Sequence, residues 1–97
     1  MSIFVLSLGT RYVRAAPISE CGPITEDSHL VGDLISVGTC LTIEKDNIVL
    51  DCMGHSITGD GTGFGIELDG RMGVTVVNCV VGNFEDGIFC SIQAIII

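Results

Sequence analysis

Two stretches of this chain repeat one pattern. Asn47-Ile48-Val49-Leu50-Asp51-Cys52 runs on to Ile57 and then to Gly65-Ile66-Glu67-Leu68. Gly73-Val74-Thr75-Val76-Val77-Asn78-Cys79 runs on to Val81 and then to Gly87-Ile88-Phe89-Cys90. Each copy holds an alternating apolar strand, a polar residue, a second short strand, a turn rich in Gly, Asn or Asp, and a Gly-Ile-x-apolar strand. A recurring unit of this size dictates architecture, because one copy cannot bury its apolar face alone. The period is steady: Ile43 and Leu68 are 25 residues apart, Leu68 and Cys90 22, and Ile48 and Val74 26. A lap of about 22 to 26 residues is enough for three strands of a few residues at ~3.3 Å each, plus three bends.

The chain is therefore expected to wind as a coil, with each strand parallel to its equivalent one lap away and in register with it. The expected inward columns are Leu41/Ile66/Ile88, Ile43/Leu68/Cys90, Ile48/Val74, Leu50/Val76 and Ile57/Val81, each a file of side chains buried against those above and below. Local signals agree. No window in 21–92 keeps a helical i, i+3, i+4, i+7 stripe beyond two turns. Turn formers such as Gly32-Asp33, Gly38-Thr39 and Asp69-Gly70 punctuate short apolar runs. The 47% apolar fraction with only 5% aromatic residues suits a core of stacked aliphatic layers. Asp51 and Asn78 fall where the backbone must bend after the second strand. Their expected role is to satisfy freed backbone groups at the corner, with Asp51 as a catalytic acid the alternative.

The stretch from Asp46 to Ile57, then Gly59-Asp60-Gly61, then Gly73 to Cys79, resembles the right-handed parallel β-helix repeat family. Its superfamily is the pectin-lyase-like fold, and the nearest branch is that of secreted and periplasmic proteins including the NosD-like metal-delivery proteins. Cys21-Gly22, followed by Ile24, Leu30, Leu34 and Cys40, resembles the capping turn that opens such domains. The resemblance covers about residues 21–90 and is specific for fold rather than function. It implies an all-β fold, a right-handed parallel β-helix (solenoid) of about three rungs with an N-terminal cap. The expected organisation is a degraded or truncated leader, or a loose first strand, over 1–20. The rungs follow over 21–92, with an apolar tail over 93–97 where the repeat breaks off. That last rung would be uncapped, and an exposed strand edge favours end-to-end self-association.

Charge excludes some partners. Lys plus Arg total 4 against 12 for Asp plus Glu, a net charge of −8. Nucleic acid needs a basic surface, and an anionic membrane surface would repel this chain. No run approaches the ~20 apolar residues of a membrane span. Five cysteines without a C-x-x-C pair match no zinc module. They suit an oxidising location: secreted, periplasmic or cell surface. Cys21 and Cys40 flank the expected cap and are the favoured disulfide, whereas Cys52 and Cys79 are expected to stack as a buried thiol ladder.

Three functions remain open. The preferred one is a non-catalytic β-helix segment acting as scaffold or in carbohydrate or protein contact, with no catalytic residues and no cofactor. The second is a remnant of a polysaccharide lyase or glycoside hydrolase, with Asp51, Asp60, Glu67 and Asp69 as its acids. Against it, the repeats hold only Lys45 and Arg71 as cations and no Asp-Asp pair. The third is a metal-delivery module using His55 with nearby Cys52 or Met53. For the preferred reading, Asp60, Glu67 and Asp69 are the binding candidates. The Gly59–Gly65 loop lacks both dinucleotide and phosphate-loop spacing and reads as a plain turn.

Overall fold

The computed structural model describes residues 15–90 and 94–96. Twelve short strands account for the regular structure of these residues, and all nine strand pairings are parallel. They are β1 (Ala16–Ile18), β2 (Gly22–Ile24), β3 (Ser28–Leu30), β4 (Leu34–Ile35), β5 (Leu41–Ile43) and β6 (Val49–Asp51). β7 (Ser56–Thr58), β8 (Phe64–Glu67), β9 (Val74–Val77), β10 (Val80–Gly82), β11 (Asp86–Phe89) and β12 (Ala94–Ile96) complete the set. They form three sheets. One is five-stranded, β1-β3-β6-β9-β12; one is three-stranded, β10-β7-β4; one is four-stranded, β11-β8-β5-β2. From β3 onward the chain visits the five-, three- and four-stranded sheets in turn and then starts again one strand higher. The protein is a parallel β-solenoid of about three turns.

Aliphatic columns set the register. Leu41 stands beside Ile66, and Ile66 beside Ile88. Leu34, Ile57 and Val81 form another file, as do Leu50 and Val76. Ile48 and Val74 fall one residue before the paired Val49 and Thr75. Leu41, Ile43, Leu50, Ile57, Ile66, Leu68, Val74 and Val76 are at most 1% exposed, so the columns constitute the core. A one-residue slip would turn every file outward, which fixes the pairing strongly. Ser28 takes a core position below Leu50. Its hydroxyl is satisfied by donating to the Glu26 carbonyl at 2.7 Å.

The outer laps differ from the sequence expectation. Val81 and Ile88 are only half-buried, because β10 and β11 are edge strands of their sheets. Cys90, expected to point inward above Leu68, is exposed instead. Ala94–Ile96, expected to lie beyond the repeat, forms β12 on β9, with Ile96 opposite Val76. At the other end, Ala16–Ile18 is β1, paired with β3. The remainder of the expected leader, residues 1–14, lies outside the described residues.

Corners are built from left-handed residues. Asn47, Met53, Asn78 and Asn83 all have φ between 56° and 64°. Asn tolerates this region better than most residues. Met53 does not, and the Asp51 carboxylate holds it there by accepting its N–H at 2.8 Å. Gly63, at φ 68°, sits where a Cβ would run into the Gly38–Thr39 backbone of the lap below. Only glycine lets the two corners approach so closely.

Candidate functional site

The acidic residues come first, since they are the groups most able to do chemistry. Many are turned onto the backbone of a neighbouring lap. Asp27 Oδ1 accepts the Val49 N–H at 2.8 Å, Asp33 Oδ1 that of Ser56 at 2.9 Å, and Asp46 Oδ1 that of Met72 at 3.0 Å. Each carboxylate stands 22 to 26 residues before its donor, one lap down. Asp60 reaches the other way, accepting from Gly38 N–H at 3.3 Å as well as from the hydroxyl of Thr62 at 2.7 Å. Thr39 Oγ1 accepts the Phe64 N–H at 3.1 Å, and Asn83 Nδ2 donates to the Gly59 carbonyl at 2.7 Å. At the corner after β6, Asp51 Oδ1 accepts from Met53 N–H and, at 3.1 Å, from Asn78 Nδ2. A bend frees backbone donors that the strand ladders cannot reach, and short polar side chains satisfy them.

Two of these carboxyls carry a clear electrostatic signature. The Ser56 N–H, and then His55, hold the Asp33 carboxyl below its ordinary value of 3.8. For Asp60 the Thr62 hydroxyl and then the Gly38 N–H do the same. Both hold their charge because they accept several hydrogen bonds.

Asp33, His55 and Ser56 are the residue types of a hydrolytic triad, so their geometry matters. His55 Nδ1 lies 3.3 Å from Asp33 Oδ1, the contact that would orient an imidazole. Ser56, however, gives its backbone N–H to that same carboxylate at 2.9 Å. A nucleophile would need its hydroxyl on the far imidazole nitrogen. The cluster is a corner clasp.

The sulfur chemistry departs from expectation at one pair. Cys21 and Cys40 are bonded, with S–S 2.07 Å and Cα–Cα 4.6 Å. They sit directly opposite one another, one residue before the paired Gly22 and Leu41. Cys52 and Cys79 are also bonded, where a ladder of thiols was expected. Cys52 lies level with Asn78, one place short of Cys79. The offset is closed because residues 52–55 join β6 to β7, whereas only 78–79 join β9 to β10. The shorter upper corner draws Cys79 back over Cys52, to Cα–Cα 4.8 Å. With its sulfur in a disulfide, Cys52 cannot serve as a soft-metal thiolate beside His55. Among the described residues no group of three or more His, Cys, Asp or Glu is placed to hold a metal ion.

The outer face of the four-stranded sheet carries a different set. Pro23, Thr42, Glu67 and Phe89 follow one another across its strands. Phe64 leans from the lap below to stack on Phe89, with ring centroids 4.8 Å apart and planes at 19°. Asp86 is the strand partner of Phe64. Of the three binding candidates, Glu67 belongs to this face, Asp60 to the corner before β8, and Asp69 to the turn after it. The sequence reading missed Phe64 and Phe89. Their stacking joins two laps through residues 25 apart and has no local signature.

Among the described residues no helix is long and apolar enough to cross a membrane. Comparison with protein-family models, with curated proteins and with solved structures finds no match for the chain.

Proposed function

We propose that this chain is a non-catalytic coil of a secreted or cell-surface protein, a disulfide-locked scaffold that presents its outer sheet faces for contact with carbohydrate. The observation that carries the reading is the fate of the acids. Asp27, Asp33, Asp46, Asp51 and Asp60 all hold the corners together through backbone N–H groups. A glycosidase needs two carboxyls free to face a substrate across a fixed gap, and two of the four acids that reading offers, Asp51 and Asp60, are tied into corners. Two disulfides between adjacent laps suit an oxidising compartment. The pectin-lyase-like and NosD-like resemblance supports the coil and its extracellular setting only.

The contact surface in this reading is the outer face of the four-stranded sheet. Phe64 and Phe89 offer an apolar platform for the C–H face of a sugar ring, while Thr42 and Glu67 offer hydrogen-bond partners beside it. The test is paired. The purified oxidised protein is incubated with a panel of neutral and acidic polysaccharides, with and without calcium, and assayed for new reducing ends and unsaturated products. No turnover is expected, and turnover abolished by Asp51→Asn or Glu67→Gln would overturn the reading. Binding of oligosaccharides is then followed by calorimetry. Phe64→Ala and Phe89→Ala should each weaken it about tenfold, near the 1–1.5 kcal/mol of a lost aromatic contact.

A further inference from the structure

The lowest described laps are built unevenly. β3 has β1 beneath it, and β5 has β2 beneath it. Among the described residues β4 has no strand beneath it, because the three-stranded sheet ends there. The cause is a short cut in the chain. Only Ser19, Glu20 and Cys21 join β1 to β2, whereas residues 31–40 make the equivalent journey one lap higher. Three residues cannot pass under β4 as a strand. Cys21 Sγ comes to 4.0 Å from the Ile35 carbonyl oxygen. That sulfur is in a disulfide and has no proton to donate.

The overhanging edge is apolar, and Cys21 Sγ stands near its one downward carbonyl. Ser36 N–H donates upward to the Thr58 carbonyl at 2.8 Å. In a parallel ladder alternate residues serve alternate neighbours, so the Ile35 amide and carbonyl face downward, away from β7. Leu34 and Ser36 point into the core, while Ile35 and Val37 point outward and are 85% and 87% exposed. Val31, at the preceding corner, is 52% exposed. Natural edges are usually blunted by short length, a lysine, a proline or a bulge; β4 is only two residues long but carries none of the other three. The charge around it has one sign. Glu20 lies in the short cut, Asp33 precedes β4 and is paired with His55, and Asp60 accepts from Gly38 just beyond Val37. Lys45 and Arg71, the described Lys and Arg side chains, both lie at the corner between the four- and five-stranded sheets.

We propose that the lower edge of β4, with Val31, Ile35 and Val37, takes up an extended segment of a partner protein as an added strand. That segment alternates apolar with basic residues. Main-chain hydrogen bonds supply the affinity of such strand addition, and side chains at every second position supply the choice of partner. Here apolar positions would meet Ile35 and Val37, and lysines or arginines would meet Glu20, Asp33 and Asp60. A second copy of this chain is a poor occupant, because its net charge of −8 would set carboxylates against carboxylates. The proposal uses a different surface from the carbohydrate face and does not depend on it.

The probe is a fluorescent ten-residue peptide alternating Val and Lys, titrated with the full oxidised chain and read by anisotropy. Saturable binding is expected, and none at about 1 mM protein would overturn the proposal. Ile35→Lys and Val37→Lys should each weaken binding at least tenfold. Val49→Lys, an outward residue of the five-stranded sheet that adds the same charge, should change it less than threefold. Equal losses from all three would make the attraction one of bulk charge and overturn it. A fully N-methylated peptide keeps the charges and side chains but cannot donate main-chain bonds, so it should bind at least tenfold more weakly. Equal binding would exclude strand addition. Two further results would assign the edge to another occupant. One is a dimer in sedimentation that Ile35→Lys dissolves. The other is a tenfold gain in peptide affinity from Leu6→Asp, in the apolar run Ile3–Leu8 of the full chain.

Discussion

Replacing Ile57 by Ala tests the column that the whole architecture rests on. Ile57 is fully buried, with Leu34 below it and Val81 above. The substitution removes three carbons, about 2.4 kcal/mol at ~0.8 kcal/mol per buried CH₂. A cavity term adds to this, since the neighbours belong to ladders on both sides and collapse poorly. The expected loss is about 4 kcal/mol, inside the 2–5 kcal/mol range of such truncations. Val81→Ala is the control in the same file. It removes two carbons from a half-buried side chain on an edge strand, so its expected loss is about 1 kcal/mol or less. Urea unfolding followed by circular dichroism, with both disulfides intact, measures the difference. With an m-value of about 2 kcal/mol/M, the midpoint should fall by about 2 M for the first variant and about 0.5 M for the second. A loss below about 1.5 kcal/mol at Ile57, or equal losses at the two positions, would refute the continuous buried column.

Removing the upper bridge with Cys52→Ala/Cys79→Ala opens a loop of separation 27 and should cost about 3.5 kcal/mol in the chain-entropy model; non-reducing peptide mapping and urea midpoints check it. Gly63→Ala should lose about 2–4 kcal/mol, combining left-handed strain with the collision against Gly38 and Thr39, whereas Gly61→Ala, at φ 94° but in open space, loses only the strain term; thermal melts separate the two. Acid stability carries a sign. Asp33 and Asp60 have carboxyls lowered below 3.8 in the folded chain, so their contribution is full above about pH 5 and fades as pH falls through the folded values. The Asp33→Asn/Asp60→Asn variant should therefore be less stable at pH 7 and show a shallower loss on acidification, read from urea midpoints between about pH 6 and 2.

The columns were legible because aliphatic residues recur at one lap's spacing and a two-residue side-chain period leaves a single register. Asp51 and Asn78 were legible as bend residues for the same reason. What joins one lap to the next through polar groups was hidden. Asp27, Asp33 and Asp46 reach donors 22 to 26 residues away, and nothing in their immediate neighbours marks them. The acidity that composition uses only to exclude partners is, at these positions, part of the framework. The Cys52–Cys79 bridge escaped because it depends on a corner two residues shorter in one lap than in the next. Cys90 followed the apolar pattern of Leu68, yet lies at the end of an edge strand where inward burial is not enforced.

The upward reach of Asp27, Asp33 and Asp46 gives assembly a direction. In each case the acceptor belongs to the earlier-synthesised turn and the donor to the later one. A polypeptide leaving the ribosome amino end first would thus finish each storey with anchor points already set for the floor above, so the nascent chain can be laid down like courses of brick.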